Sequence, residues 1–281
     1  VVGGDRVDTT PNCGNILAGV APFAIEAGLM EPTGDSTTVR INMLNSGSQC
    51  ELVVQTPNGK VEYQGDACID GVPGSAAPIA CNYLNIAGSA CGSLLPTGSR
   101  IDIVDGIEIS CIDNGMPVVV LRAEDMGISG YESPAELNAN EALKSKLQSI
   151  RLQIGPKMNL GDVEGAAVPK MCMISPPLSD GICHTRTFIP YKCHSAIGVL
   201  GAVSAATAAI IPGTVAEGIA TVPAGPRKTL SVEHPSGEFS INLHIDEQAD
   251  PPQVLKAGLL RTARLLSRGE LYVPENIFIT E

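Results

Sequence analysis

Residues 190–211 read "PYKCHSAIGVLGAVSAATAAII". From residue 194 to residue 211 no charged side chain appears, and small or apolar residues fill every side of a helical wheel, so the run predicts a helix buried all round. It is too short, and with Ser204 and Thr207 too weakly apolar, to predict a membrane span. Residues 11–30, "PNCGNILAGVAPFAIEAGLM", repeat the plan with a Pro, a Cys and an apolar run over residues 14–30. Pro22 predicts a kink there, or two short helical pieces. Pro11-Asn12-Cys13 leads into the first run as Pro190-Tyr191-Lys192-Cys193-His194 leads into the second.

The segments around the two runs carry strand patterns. "TTVRINML" (37–44), "CELVVQTPNGKVEYQGDA" (50–67) and "PIACNYLNIAG" (78–88) follow the first run, and Pro57-Asn58-Gly59 predicts a hairpin turn because Asn and Gly accept positive φ. Residues 100–125, "RIDIVDGIEISCIDNGMPVVVLRAED", alternate and then run apolar, and "VPKMCMISPP" (168–177) and "SVEHPSGEFSINLHI" (231–245) are further strands. A surface helix is predicted at residues 133–154, with Ser133 as cap, Pro134 at the first position and an apolar stripe of Leu137, Leu143, Leu147 and Ile150. A basic amphipathic helix is predicted at residues 254–267, then a short strand.

Two strand-rich halves, each around one buried helix, predict an α+β fold of two pseudo-symmetric domains. The expected boundaries are residues 1–100, 101–250, and a tail at 251–281 that returns to the first domain. If the halves face each other, both helix N-termini meet in one cleft, where unpaired N–H groups and positive dipole ends suit a di- or tricarboxylate. The chain starts "VVGGDRVDTTPN", without Met and as if in mid-strand, so it is expected to be the C-terminal part of a longer polypeptide.

A chain of 281 residues, 44% hydrophobic, can bury one large core or two ordinary ones. Its net charge of −12 argues against nucleic acid and anionic membranes as partners. The nine cysteines are odd in number and include no C-x-x-C pair, which predicts reduced thiols, a cytoplasmic location and no zinc site. There is no GxGxxG, P-loop or GxSxG motif, so nucleotide and α/β-hydrolase functions lack their usual support.

Cys13 stands where a helix dipole would favour the thiolate, the form that acts as base or nucleophile; a packed thiol near a cap fits the position equally well. For the other eight cysteines a buried, small-hydrophobe role is expected, Cys193 least firmly. His194 opens the second run as a general acid/base, a hydrogen-bond donor or a cap. His234 sits in a turn that is either a ligand loop or a plain hairpin, and His184 and His244 are expected at the surface. No two histidines have metal-ligand spacing. "NMLNSGSQ", "LLPTGSR" and "CIDNGMPV" place Gly47, Gly98 and Gly115 in loops at strand ends, each an ordinary turn alone and a carboxylate-binding rim if gathered.

In order, "PNCGNILAGVAPFAIEAGL", "INMLNSG", "DGVPGSAAPI", "GSLLPTG", "DGIEISCIDNGMPVV", "GPKMNLGD", "FIPYKCHSAIGVLGAVSAATAAIIPGTVAEG", "SVEHPSGEF" and "RTARLLSRGELYVP" resemble the PrpF family, and within it the 4-oxalomesaconate tautomerases of gallate degradation. The resemblance runs over residues 5–274. It implies a fold similar to diaminopimelate epimerase, two pseudo-symmetric β-rolls each around a central helix. It further implies proton transfer on an unsaturated polycarboxylate, without cofactor or metal, by the thiol of "NCGN", here Cys13, and a lysine from an upstream "SK" segment that this chain does not contain. Carried over by position, Asn12, Gly14, Asn15, Ser46, Thr97, Gly98, Asn114 and His194 lie near the substrate. Allylic double-bond isomerisation of 2-methylaconitate, aconitate or oxalomesaconate uses the same residues. Outside this class stand a Cys-His hydrolase, with Cys13 as nucleophile, and a non-catalytic binding module; a homodimer is compatible with all of these.

Overall fold

The structure, a computed structural model, describes residues 13–44, 46–270, 272 and 274. Two short helices, α1 (Gly14–Leu17) and α2 (Val20–Glu26), precede β1 (Ser36–Met43), β2 (Ser48–Gln55), β3 (Ala67–Cys68), β4 (Ser75–Ala76) and β5 (Ile79–Leu84). Next come β6 (Asp102–Val104), β7 (Ile107–Asp113), β8 (Pro117–Arg122), α3 (Pro134–Ala139), α4 (Glu141–Ile154), β9 (Lys170–Ser175) and β10 (Cys183–Phe188). The last elements are α5 (Val199–Ile210), β11 (Arg227–His234), β12 (Gly237–Asp246) and β13 (Gln253–Arg261).

Among the described residues, eleven strands form one sheet in the order β1-β2-β5-β13-β12-β11-β10-β9-β8-β7-β6, and β3 pairs with β4 alone. Two neighbouring pairs, β8–β9 and β10–β11, are parallel. Parallel neighbours need a crossover, and the two crossovers are helical: α3 and α4 link β8 to β9, and α5 links β10 to β11. They cover opposite faces. Val118, Val120, Cys172 and Ile174 pack into the cluster around α5, whereas Val119, Leu121, Met171 and Met173 pack with Leu143, Leu147 and Ile150 of α4. Burial on both faces explains why "PVVVL" is continuously apolar. In β1, β2 and β5 only alternate residues are buried, because α1 and α2 cover one face alone.

Helix α5 is buried along its length, against β7, β8, β11, β12 and α1. Its Ala and Gly residues permit that enclosure, and its hydroxyls find carbonyls: Ser204 Oγ donates to Met116 O at 2.7 Å and Thr207 Oγ1 to Val203 O at 2.7 Å.

Several expectations are corrected. Residues 14–30 form two short helices, one of the two outcomes expected, but the break follows Leu17 and not Pro22, which falls in the first turn of α2 where no intrahelical N–H bond is due; burial all round fails, since Ile16 (74% exposed) and Phe23 (65%) face outward. The second helix begins at Val199, five residues after His194, with Gly198 as its N-cap. The surface helix divides at Asn140, whose side chain accepts from Leu143 N–H at 3.0 Å and caps α4, while Ser133 forms a capping box with Glu136 on α3. Asn58 and Gly59 do take positive φ, 56° and 72°, but no strand returns from that turn; β2 pairs with β5 instead. Residues 254–267 are not helical. Residues 253–261 form β13, hydrogen-bonded on both sides to β12 and β5, and two-sided pairing outweighs helix propensity. Strand β10, "CHTRTF", was not expected, and it carries His184 into the interior rather than to the surface.

Candidate active site

The N-terminal ends of α1 and α5 touch. A Cβ placed on Gly14 would lie 2.6 Å from Val199 Cβ and 2.9 Å from Tyr83 Oη, so only glycine lets the two backbones approach this closely. Cys13, the N-cap of α1, is held at this junction with extended backbone (φ −106°, ψ 99°); its side chain is exposed and caps nothing. Tyr83 is fully buried beneath it, its Oη without a hydrogen-bond partner among the described residues, and burial raises its pKa so that it stays protonated.

Asn15, on α1, lines a cleft of about 510 Å³ whose other walls include Asp70, His194, Ile197, His234 and Arg261. A tight reversal presents His194: Ile189 N–H bonds to Lys192 O at 2.9 Å, Cys193 N–H to Asn138 Oδ1 at 2.8 Å, and His194 N–H to Thr187 O at 2.8 Å. His194 Nδ1 accepts from Ala196 N–H at 2.9 Å, which puts the neutral ring's proton on Nε2. Burial, helped by the Lys170 ammonium, lowers its pKa, so at neutral pH the imidazole is neutral and its Nε2–H is a hydrogen-bond donor. His234, at the end of β11, is similar. Its Nδ1 accepts from Ser236 N–H at 3.3 Å, and burial holds its pKa down against the opposing pull of the Glu238 backbone and then of Asp70.

Among the other cysteines, burial pushes Cys50, Cys81 and Cys91 up to about 12 and Cys172 and Cys193 to about 11, so these are inert thiols at neutral pH. Cys68 departs from the expectation, being exposed on β3.

Of the residues singled out from the sequence, the fold brings together Cys13, Gly14 and Asn15 at α1, with Asn15 and His194 on the walls of one cleft. Asn12 lies outside the described residues. Ser46 sits in the β1–β2 turn, and Thr97, followed by Gly98, donates to Asp102 Oδ2 at 2.6 Å near the far edge of the sheet. Asn114 is buried, with Nδ2 donating to Thr207 Oγ1 at 2.8 Å and its N–H to Ser204 Oγ at 3.2 Å. Thr207 is about 12 Å along α5 from Val199 by helical rise, so Asn114 packs the distant half of that helix. Of these residues Asn15 and His194 line the cleft; Cys13 and Gly14 adjoin Asn15 without lining it, and Ser46, Thr97, Gly98 and Asn114 do not line it either. Sequence reasoning missed Arg261 and Asp70, which do.

Residues 1–274 match the protein family described as PrpF protein. The 4-oxalomesaconate tautomerase of Pseudomonas putida is 54% identical over 269 residues, covering 96% of this chain and 73% of that protein. The (4E)-oxalomesaconate Delta-isomerase of a Novosphingobium species is 53% identical over 267 residues, 95% of this chain and 74% of that one. Among solved structures, a methylitaconate-delta-isomerase superposes with a TM-score of 0.81 at 28% identity, covering 98% of this chain and 76% of the other. With a family match over nearly its whole length and relatives above half identity, the chain belongs to the PrpF family.

Proposed function

We propose that the protein is an isomerase that interconverts the keto and enol tautomers of 4-oxalomesaconate by cofactor-independent proton transfer at carbon, a step of gallate-type aromatic acid degradation. The observation that carries this is the meeting of the α1 and α5 ends beside a cleft that offers a neutral His194 Nε2–H and the Arg261 guanidinium. The activity named for the Pseudomonas relative supports it. A proton on carbon next to the ketone, acidified by the conjugated carboxylates, passes to a base; the C–H electron pair becomes the enolate π bond, and the oxygen takes up a proton. Cys13 exchanges the carbon-bound proton. His194 donates from Nε2 to the enolate oxygen, the type of contact worth about 3 kcal/mol where charge develops in a dry site.

The second reading is allylic double-bond isomerisation, supported by the names of the Novosphingobium relative and of the structural neighbour. The two differ in which carbon receives the proton. In heavy water, proton NMR should show deuterium entering only beside the ketone for tautomerisation, and at the far end of the allyl system for isomerisation. Neither exchange nor a spectral change with 4-oxalomesaconate would remove both. We also read the chain as two units split near residue 100, with residues 251–281 returning to the first; the place of β13 between β5 and β12 supports that division. A cytoplasmic location belongs to the same proposal and agrees with nine free thiols. Among the described residues, no helix is long and apolar enough to cross a membrane.

A further inference from the structure

The end of β13 reverses the usual rule of apolar inside and polar outside. Ala257 and Leu259 face the interior opposite Tyr83 and Cys81 of β5. The next inward position is Arg261, 8% exposed, while the apolar Leu260 points outward at 41%. The Arg261 guanidinium carbon lies 3.9 Å from the centre of the Phe239 ring, and Nη1 donates to the Leu260 carbonyl at 2.9 Å. Nε has no hydrogen-bond partner among the described residues, and no carboxylate among them forms an ion pair with this side chain. The two acidic groups of the same cleft are engaged elsewhere: Asp70 Oδ2 accepts from Glu238 N–H at 2.9 Å, and Glu238 Oε2 accepts from the Ser231 hydroxyl at 2.6 Å. Burial lowers Arg261 only to about 10, so it remains a cation at neutral pH.

A buried cation without a counter-charge is strongly unfavourable unless an anion completes it. The opening beside it is the cleft that also holds His194 and His234. We propose that Arg261 is the carboxylate-binding and specificity-determining residue of this cleft. Its guanidinium takes one carboxylate of the ligand from the cleft in a charge-assisted pair, with Phe239 as backing, and the anchored ligand is thereby turned toward His194 Nε2–H and Asn15. The identity of the ligand as a polycarboxylate rests on the proposed function; the anion site itself rests on the unpaired guanidinium.

The test is calorimetric titration with tricarballylate, a saturated tricarboxylate that cannot react, on wild type, Arg261→Met and Arg261→Lys, with ligand-free melting temperatures and 4-oxalomesaconate kinetics measured alongside. Arg261→Met should bind at least ~100-fold more weakly, with KM raised by a similar factor and kcat changed far less, and Arg261→Lys should recover part of the loss. Its ligand-free melting temperature should hold or rise, because an apolar chain replaces an unpaired buried charge. Binding within about threefold of wild type, no binding to wild type, or a ligand-free melting temperature lowered by more than ~8 °C in both variants would overturn the assignment. Arg261-dependent tricarballylate binding without turnover of 4-oxalomesaconate keeps the anion site and removes the proposed reaction. Turnover with Arg261-independent binding does the reverse.

Discussion

Substituting alanine for Gly14 tests the contact on which the candidate site is built. The added Cβ would stand 2.6 Å from Val199 Cβ, 2.7 Å from Val199 Cγ1 and 2.9 Å from Tyr83 Oη, against about 3.5–4.0 Å for an unstrained carbon contact. Val199 is fixed at the start of a helix enclosed by strands, and Tyr83 lies within β5 between two paired neighbours, so neither can swing aside. Two effects oppose each other. Alanine is favoured over glycine in a helix by about 1 kcal/mol, while overpacking of a rigid site costs about 1–3 kcal/mol. Here the obstructing atom is a Cβ, carried directly by backbone, so the cost lies at the upper end and the net loss is about 2 kcal/mol, or about 4–8 °C in melting temperature. Relief requires the start of α1 to move by about 1 Å, and a displacement of that size at a reacting group lowers turnover by about 100-fold.

Val199→Gly removes both of the closest obstructing atoms. Tyr83 Oη remains 2.9 Å from the new Cβ, and its cost about offsets the helix-propensity gain, so Gly14→Ala should be nearly neutral for stability in that background, a coupling of about 2 kcal/mol between the two positions. Urea denaturation of the four proteins measures the coupling, and turnover of 4-oxalomesaconate measures the displacement. A Gly14→Ala protein as stable as wild type, or one that loses the same stability with and without Val199, would refute the close approach of α1 and α5.

Cys13→Ser should leave the unfolding midpoint unchanged, since the side chain is exposed and caps nothing, and should lower kcat by at least about 100-fold; wild-type turnover would remove Cys13 from the reaction. His184, His194 and His234 are all held below the ordinary histidine value of 6.5, chiefly by burial. Below that pH the unfolded chain takes up protons that the native state refuses, so their contribution is complete above about 6.5 and is lost as pH falls toward the native values, at no more than about 1.4 kcal/mol per unit for each. Melting temperature should therefore drop between pH 7.5 and 5.5, less steeply in His234→Gln; a flat or rising profile contradicts the sign. Arg151 is fully buried and donates to the carbonyls of Val163 at 2.8 Å, Ala166 at 3.2 Å and Glu164 at 3.3 Å. Arg151→Met removes the guanidinium from these carbonyls, at about 1–3 kcal/mol for each bond lost, and should make residues 162–168 the first protease-sensitive segment; an unchanged cleavage pattern would show that the guanidinium does not hold that loop.

The parts of the fold that could be read from the sequence are those where one period dominates. The uncharged run after residue 194 could only be a buried helix, and the alternation of residues 100–125 could only be strands. What could not be read was set by partners distant in sequence. "CHTRTF" has four consecutive polar residues, 184–187, yet His184, Arg186 and Glu233 satisfy one another inside: His184 Nδ1 lies 3.1 Å from Glu233 Oε2, and Arg186 bonds to the opposite ring nitrogen. Glu233 also accepts the N–H groups of Leu178 at 2.6 Å and Ser179 at 2.8 Å. Local propensity cannot report a strand whose polar side chains are buried by such a network. The role of His194 depended likewise on geometry, because the Ala196 N–H decides which ring nitrogen carries the proton.

The misread C-terminal segment lost a site residue along with an element. Leu255, Leu259, Ala263 and Leu266 fit a helical stripe, and on that wheel Arg261 is one more cation on a solvated face. In a strand, period two puts Arg261 on the same face as Leu259 and Ala257, which here is the interior. A cation placed there, with the leucine beside it turned to solvent, breaks the local rule without a local gain, and such breaks concentrate where a protein binds something. The two errors are thus one error of period. Gly14 shows the same logic from the other side, since a glycine opening a helix lowers its stability, and its reason becomes visible only when Val199, far along the chain, is found against it. In this protein Gly14 and Arg261 depart from good local design at the helix junction and in the cleft; Asn114, bonded to α5 through its amide nitrogens but with Oδ1 buried and without a partner among the described residues, departs from it away from the cleft.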